Sequence, residues 1–299
     1  MKKILTIILT IFVAFFNGCS NKNEKNSKPL VAVSTFAIYD VTKHIAKEDV
    51  DVFLLLPPGK EVHSFEPTPK DIIKIKKASL FIYNGAGLEP WCEKFSSKNS
   101  LDLSKYVTLK DFDKSHHHHI HNEHTKDPHY WLDFSNMKKI ADTITNKLSK
   151  ISPQKKEIFK KRATNYKKML DELDTKFSKE LSICKNKEIF VNHNAYSYLA
   201  SRYGFEVHSL VGLSSQAQPN PKTIQKIIKE IKEKGIKVIF FENFENSSVL
   251  KMIAKDTGVS LETLQPLANL TADEAKKHLT YKDIMLQNLK KLKKALSCH

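Results

Sequence analysis

The chain has 299 residues, of which 40% are apolar and 27% are charged, and these shares exclude a wholly disordered protein and a protein with many membrane spans. Lys and Arg number 49 against 33 for Asp and Glu, which makes the net charge +16. The lysines are scattered along helix-like stretches and are not gathered with aromatic residues, so we expect a solvated basic surface and no nucleic-acid partner. At about 100–200 residues per domain, the length favours two domains.

The first residues resemble a secretory signal. Lys2 and Lys3 precede a mostly apolar run from Ile4 to Phe16, and this run is shorter than the roughly 20 residues of a membrane-spanning helix. Gly18-Cys19 resembles the end of a bacterial lipobox, although Asn17 is more polar than usual there. We therefore expect a signal peptide at 1–18 and a polar tether at 19–29. Lipidation of Cys19 would anchor the chain to a membrane, and ordinary cleavage is the alternative.

Strands and helices alternate on both sides of the chain's middle. Apolar, β-branched runs predict strands at 30–36, 50–56, 80–83, 188–191, 206–211, 238–241 and 259–264. Helical patterns lie at 38–47, 71–77, 195–203, 221–234, 247–256 and 281–296. This alternation predicts an α/β fold with two lobes at 30–151 and 183–299, each a mostly parallel sheet flanked by helices.

A long amphipathic segment lies between the two lobes. Ser152-Pro153 is a typical helix start, and apolar residues then recur at three- and four-residue steps as far as Leu181. No glycine or internal proline interrupts the pattern. We therefore predict one rigid linking helix over 152–182, and a long helix inside a single domain is the alternative.

Histidines are the residues that indicate chemistry. A low-complexity tract at 116–124 has little to bury, so it predicts a surface loop with low affinity for divalent cations; its histidines are His116, His117, His118, His119, His121 and His124. His63, His129 and His193 instead follow predicted strands or turns. Because ligands collect at the carboxyl ends of parallel strands, we expect these three imidazoles to meet on one metal ion between the lobes.

The chain resembles the metal-binding component of bacterial zinc or manganese ABC importers, a two-lobed family with one long connecting helix. The resemblance runs from about residue 30 to the end, and the pieces that carry it are His63 with Glu66-Pro67-Thr68-Pro69, Asn84-Gly85 with Leu88-Glu89, Asp127-Pro128-His129-Tyr130-Trp131-Leu132-Asp133, His193-Asn194-Ala195-Tyr196, Phe241-Glu242 and Leu264-Gln265-Pro266-Leu267. It implies that His63, His129 and His193 are the metal ligands. Histidine at the third position implies Zn²⁺, which prefers imidazole nitrogen, over Mn²⁺, which prefers oxygen.

The fourth ligand stays open at this stage. The family often places Asp where this chain has Gln265, and a neutral amide is a poor zinc ligand. Water, Glu61 or Glu242 are the alternatives, and Glu242 is favoured as a residue that supports a ligand.

The resemblance implies an extracytoplasmic receptor that delivers transported zinc to a membrane ABC permease, and a monomer that catalyses no reaction. We expect it in the periplasm or on the outer face of the membrane. The alternatives are a manganese receptor, a surface adhesin and a zinc enzyme, although the chain has no His-Glu-x-x-His motif. Export would allow one disulfide among Cys92, Cys184 and Cys298, with the pairing undetermined.

Overall fold

The structure is a computed structural model that describes residues 28–112, 126–213, 219–242 and 248–298. The predicted signal peptide, Cys19 and the whole His-rich tract lie outside these ranges. Across the described ranges, no helix is both long enough and apolar enough to cross a membrane.

The first half of the chain forms a four-stranded sheet in which all neighbouring strands are parallel. The spatial order is β2-β1-β3-β4, and the strands are β1 (Leu30–Val33), β2 (Asp51–Leu54), β3 (Leu80–Tyr83) and β4 (Ser100–Asp102). β1 and β3 are apolar and almost entirely buried, as expected for parallel strands covered on both faces. The sequence predicts β1 three residues too long, because Phe36 already begins a helix.

The second half forms another parallel sheet with the same arrangement. Its order is β6-β5-β7-β8, and the strands are β5 (Glu188–His193), β6 (Glu206–Val211), β7 (Val238–Phe241) and β8 (Ser260–Thr263). In each sheet the first strand lies between the second and the third, so consecutive crossovers run to opposite sides of it. The α/β prediction of two mostly parallel sheets is confirmed.

Ten α-helices connect and cover these strands in the described ranges. They are α1 (Phe36–Ala46), α2 (Pro69–Lys77), α3 (Cys92–Phe95), α4 (Phe134–Ile151), α5 (Lys156–Ser182), α6 (Ser197–Tyr203), α7 (Pro221–Lys234), α8 (Ser248–Thr257), α9 (Ala272–Lys276) and α10 (Tyr281–Ala295). The sequence analysis did not assign α4, although Asp133 caps it and its apolar residues recur at helical spacing. The short elements β4, α3 and α9 were also missed.

The predicted linking helix is present as α5. It begins at Lys156, because Pro153–Lys155 forms a separate 3₁₀ turn and the Ser152 side chain makes no capping hydrogen bond. In the first turn of α5, Phe159 is buried and Ile158 is exposed, so the buried face of the helix begins at Phe159. α5 packs against α1 and α4 of the first half and against α6 and α10 of the second, so both halves contact the same helix.

The two halves also share one hydrophobic core. A single cluster of buried residues extends from Val31 in β1 to Leu296 after α10, and it includes the buried face of α5. At the end of α5, Cys184 forms a disulfide with Cys298, which follows α10. Cys92 is buried and free. The pairing that the sequence left open is therefore between two elements of the second half.

Candidate metal centre

The three predicted histidines come from different parts of the fold. His63 lies in the loop after β2, and Asn269 holds this loop by donating from Nδ2 to the carbonyl oxygens of Pro57 and Lys60, each at 2.7 Å. His129 immediately precedes the 3₁₀ turn Tyr130–Leu132, in a segment where Trp131 is fully buried. His193 is the last residue of β5.

The fold brings these three imidazoles together. The ring centroids of His63 and His129 are 5.8 Å apart, those of His63 and His193 are 6.0 Å apart, and those of His129 and His193 are 5.4 Å apart. One ring nitrogen of each lies within 4.8 Å of those of the other two. His129 and His193 are buried and His63 is partly buried, so the cluster has only limited contact with water.

A carboxylate lies behind each of the two buried rings. Asp127 Oδ1 is 2.8 Å from His129 Nδ1 and also accepts the backbone N–H of His129 at 2.9 Å. Glu242 Oε1 is 2.8 Å from His193 Nδ1. These contacts fix the rotation of both rings and leave Nε2 as the nitrogen available to a metal ion.

The strand order explains the contact between Glu242 and His193. β5 and β7 are neighbours in the sheet, His193 ends β5, and Glu242 directly follows β7. The two side chains therefore project from the carboxyl ends of adjacent strands. This is the point where the crossovers diverge, at which open α/β sheets bind their ligands.

Burial favours the neutral form of His63 and of His129. The pKa of His63 is lowered to about 3, mainly because the ring is removed from water and additionally because charged His129 and His193 would repel its proton. Burial also lowers the pKa of His129, although its hydrogen bond to Asp127 opposes the shift. Neutral imidazoles have a free nitrogen lone pair at physiological pH, so the cluster is ready to bind a cation.

The family of the chain follows from comparison with known proteins. Residues 31–295 match the family described as zinc-uptake complex component A, periplasmic (ZnuA). The chain belongs to this family. It is 35% identical over 300 residues to the high-affinity zinc uptake system protein ZnuA of Bacillus subtilis, and this match covers 96% of the chain and 94% of that protein.

Two further comparisons place the chain beside other proteins of the ZnuA type. It is 34% identical over 318 residues to the zinc-binding protein AdcA of Streptococcus pyogenes, which covers 98% of the chain but only 61% of that protein. The Zn(II)-bound ZnuA-like domain of Streptococcus pneumoniae AdcA superposes with a TM-score of 0.75 at 29% identity, covering 90% of the chain and 99% of the domain. The chain thus spans about three fifths of the length of the streptococcal AdcA proteins that it matches.

ZnuA membership also bears on three expectations from the sequence. The predicted resemblance is confirmed, and so is the two-sheet fold with its long connecting helix. The expectation that the chain is not an enzyme is confirmed as well, because the family and the relatives are described as binding and uptake proteins.

The remaining predicted site residues have different surroundings. Gln265 is buried, donates from Nε2 to Glu274 Oε2 at 2.9 Å, and accepts the backbone N–H of Leu267 on Oε1 at 3.2 Å. Glu61 accepts the backbone N–H of Ser64 at 2.9 Å and lies near enough to His129 to affect its pKa. The amide of Gln265 is therefore used within the protein, whereas Glu61 belongs to the same loop as His63.

Sequence reasoning did not assign a role to Asp127, although the residue stands in the motif that contains His129. Its other oxygen, Oδ2, accepts a hydrogen bond from Ser197 at the start of α6, and Tyr198 donates to the Asp127 carbonyl oxygen at 2.8 Å. The Asp-Pro-His spacing was the available signal, because an acid two residues before a histidine can reach the Nδ1 of that ring.

Proposed function

We propose that the chain is an extracytoplasmic zinc receptor that captures Zn²⁺ on His63, His129 and His193 and delivers it to the permease of an ABC importer. The observation that carries the proposal is the convergence of three imidazoles from three separate segments. Membership of the ZnuA family and the names of the zinc-binding relatives support it.

The donor set suits zinc as the transported ion. Zn–N bonds of about 2.0–2.1 Å in a tetrahedral site place the ligand atoms about 3.4 Å apart, so the three nitrogens need only small movements to close on an ion.

The charge of the ion is balanced as well. Asp127 and Glu242, which lie behind two of the rings, supply two negative charges against the two positive charges of Zn²⁺.

The proposed binding position lies between two lobes, at 30–151 and 183–299. His63 and His129 come from segments of the first lobe, and His193 comes from the second. Because the linking helix contacts both lobes, we expect zinc to enter and leave through small displacements of the loop that bears His63. That loop is anchored across the lobes by Asn269.

For the fourth position we propose Glu61 or a water molecule. Gln265 is engaged with Glu274 and Leu267, and Glu242 faces Nδ1 of His193. Replacing Glu61 by Gln should weaken zinc binding about tenfold or more if its carboxylate is a ligand. Gln265→Ala should leave zinc affinity nearly unchanged and reduce stability by about 1–3 kcal/mol, because it leaves buried polar groups unsatisfied. A large affinity loss in Gln265→Ala alone would reverse this assignment.

The test of the function is a calorimetric titration of a chain in which the six tract histidines are replaced by serine. We expect tight binding of zinc, much weaker binding of manganese, and loss of tight binding when His63, His129 or His193 is replaced by Ala. His278→Ala is the matched control, because His278 is exposed and lies outside the cluster. Full zinc affinity in a triple-alanine variant would overturn the site, and preference for manganese would favour the alternative receptor.

We further propose that Cys19 carries the lipid, that the chain works as a monomer outside the cytoplasm, and that the tract at 116–124 collects zinc weakly. The AdcA relatives include proteins named as zinc-binding lipoproteins, which supports the anchor. Metabolic labelling with a fatty acid should mark the wild type and not Cys19→Ala.

Zinc uptake at limiting zinc should fall when the six histidines of the tract at 116–124 are replaced by serine. The adhesin alternative stays a prediction, which binding to matrix proteins in the presence of a chelator would test.

A further inference from the structure

A second group of potential metal ligands lies at the opposite end of β5 from His193. β5 and β6 pair in parallel with Glu188 opposite Glu206 and Phe190 opposite His208. Because side chains alternate along a strand, Glu188, Glu206 and His208 point to the same face of the sheet. Glu188 and His193 are five residues apart, or about 16 Å along a strand at about 3.3 Å per residue, so the two groups are separate.

The geometry of this group suits a cation. His208 Nε2 is 3.0 Å from Glu188 Oε2 and 4.0 Å from Glu206 Oε2. One donor atom from each of the three residues lies within 4.8 Å of the other two, a limit that the histidine cluster also meets. One imidazole nitrogen with two carboxylate oxygens is a ligand set that divalent zinc accepts.

Two contacts orient the imidazole of His208, one with an aromatic ring and one with a carboxylate. Its ring stacks on Phe190, with centroids 4.7 Å apart and planes 14° from parallel. Its Nδ1 faces Glu230 Oε2 of α7 at 3.5 Å, while Nε2 faces the two carboxylates from the strands. A carboxylate behind Nδ1 with Nε2 directed at the ion is the arrangement of His129 and His193 in the proposed zinc site.

The surrounding charges decide how strongly a cation would bind. Lys234 Nζ is 2.5 Å from Glu188 Oε2, and Lys226 Nζ is 3.6 Å from Glu230 Oε1. Three carboxylates and two ammonium groups leave one net negative charge around the His208 ring. A divalent cation is therefore attracted, but Lys234 competes for the same oxygen, and the affinity must be below that of the three-histidine cluster.

We propose that Glu188, Glu206 and His208 form a second, weaker divalent-cation site on the β5–β6 edge, with Glu230 as the residue that positions His208. The site is independent of the proposed transport function. Bound there, the ion ties the two strands together and links them through Glu230 to α7.

The test is equilibrium dialysis of the full chain against zinc chloride, with the six tract histidines replaced by serine. We expect two zinc ions per chain, the second bound more weakly. Glu206→Gln should weaken the second binding step more than about tenfold, and His208→Gln should do the same. His278→Gln, at an exposed histidine elsewhere, should leave both steps unchanged.

Glu206 keeps the test independent of folding, because 76% of its side chain is exposed and its replacement leaves the core intact. Circular dichroism should show the same helix content in all variants. A single zinc per chain before any substitution would overturn the proposal. Two zinc ions with unchanged affinities in Glu206→Gln and His208→Gln would also overturn it, since the group would then be only an ion-pair network.

Discussion

At the scale of single residues, the candidate site depends on groups that stand behind the ligands. His129 and His193 each have a carboxylate on Nδ1, and His63 lies in a loop held by Asn269. Such contacts fix ring orientation and make the opposite nitrogen a better donor. They also add negative charge at the place where a cation is expected. The sequence indicated the three histidines and favoured Glu242 as a supporting residue, but the contact between Asp127 and His129 became apparent only in three dimensions.

Asp127→Asn tests this support. We expect zinc affinity to fall about 10- to 100-fold, because the amide keeps the shape of the carboxylate but loses the negative charge that strengthens the hydrogen bond from Nδ1. Competition with a coloured chelator measures the change. Asp142→Asn, at an exposed acid paired with Lys167, should leave the affinity unchanged. Equal zinc affinity in Asp127→Asn and the wild type would show that Asp127 only stabilises the backbone of its turn.

At the scale of elements, α1, α5 and α10 meet at a buried acid. Asp40 of α1 accepts hydrogen bonds from the hydroxyl of Tyr166 in α5 at 3.0 Å and from the backbone N–H of Tyr281 in α10 at 3.2 Å. His44, one turn later in α1, lies with Nδ1 3.3 Å from Asp40 Oδ2. One carboxylate therefore joins the first half, the linking helix and the last helix of the chain.

This junction predicts a pH dependence. The side-chain hydrogen bond to Asp40 raises the pKa of His44 above 6.5, and partial burial only reduces the shift. A raised pKa means that the protonated ring adds stability below about pH 6.5, and that this stability is lost as pH rises through the higher folded-state value. Between pH 5.5 and 8.5, the urea midpoint of the wild type should fall relative to that of His44→Gln. A constant difference across this range would contradict the prediction.

The disulfide between Cys184 and Cys298 is the second prediction at this scale. It joins the end of α5 to the segment after α10 across 114 residues of sequence. A covalent link over such a long loop restricts the unfolded chain, so replacing both cysteines by serine should lower the free energy of unfolding by about 2–5 kcal/mol. Urea denaturation with and without reductant measures it. Reductant should destabilise the wild type but not the double-serine variant, and equal sensitivity of the two proteins would contradict the role of the bond.

At the scale of the whole molecule, hydrogen bonds as well as the core connect the two halves. Trp131 donates from Nε1 to the carbonyl oxygen of Pro266 at 2.6 Å, and the hydroxyl of Tyr281 donates to the carbonyl oxygen of Trp131 at 2.7 Å. Trp131 lies 135 positions from Pro266 and 150 positions from Tyr281 in the sequence. The halves are therefore packed together and are not two bodies joined by a single helix.

This packing predicts cooperative unfolding. In calorimetry the protein should show one unfolding transition, because unfolding of either half would expose the hydrophobic core that both halves share. Zinc at about 100 times its dissociation constant should add about 2.7 kcal/mol to stability and raise the transition temperature. A variant with Ala at His63, His129 and His193 should lack this shift. Two separate transitions in the wild type would contradict the shared core.

The sequence by itself determined most of the local structure and the choice of candidate ligands. Apolar, β-branched runs predicted seven of the eight described strands. The signal is strongest in β1 and β3, because strands that are buried on both faces of a parallel sheet are continuously apolar. Three histidines after strands and turns indicated a metal site, because chain connectivity places such positions at one edge of a sheet. The first turn of α5 and the unassigned α4 show that helix boundaries are less well specified, since capping and packing decide them.

Only the tertiary structure decided which groups meet. Glu242 reaches His193 because β7 lies next to β5, and Ser197 reaches Asp127 because α6 begins beside the turn that bears His129. The Cys184–Cys298 pairing, the internal use of Gln265 and the group around His208 likewise depend on contacts between segments distant in sequence. Residue type and periodicity are local properties of a chain, whereas distance and orientation across the fold are set by packing.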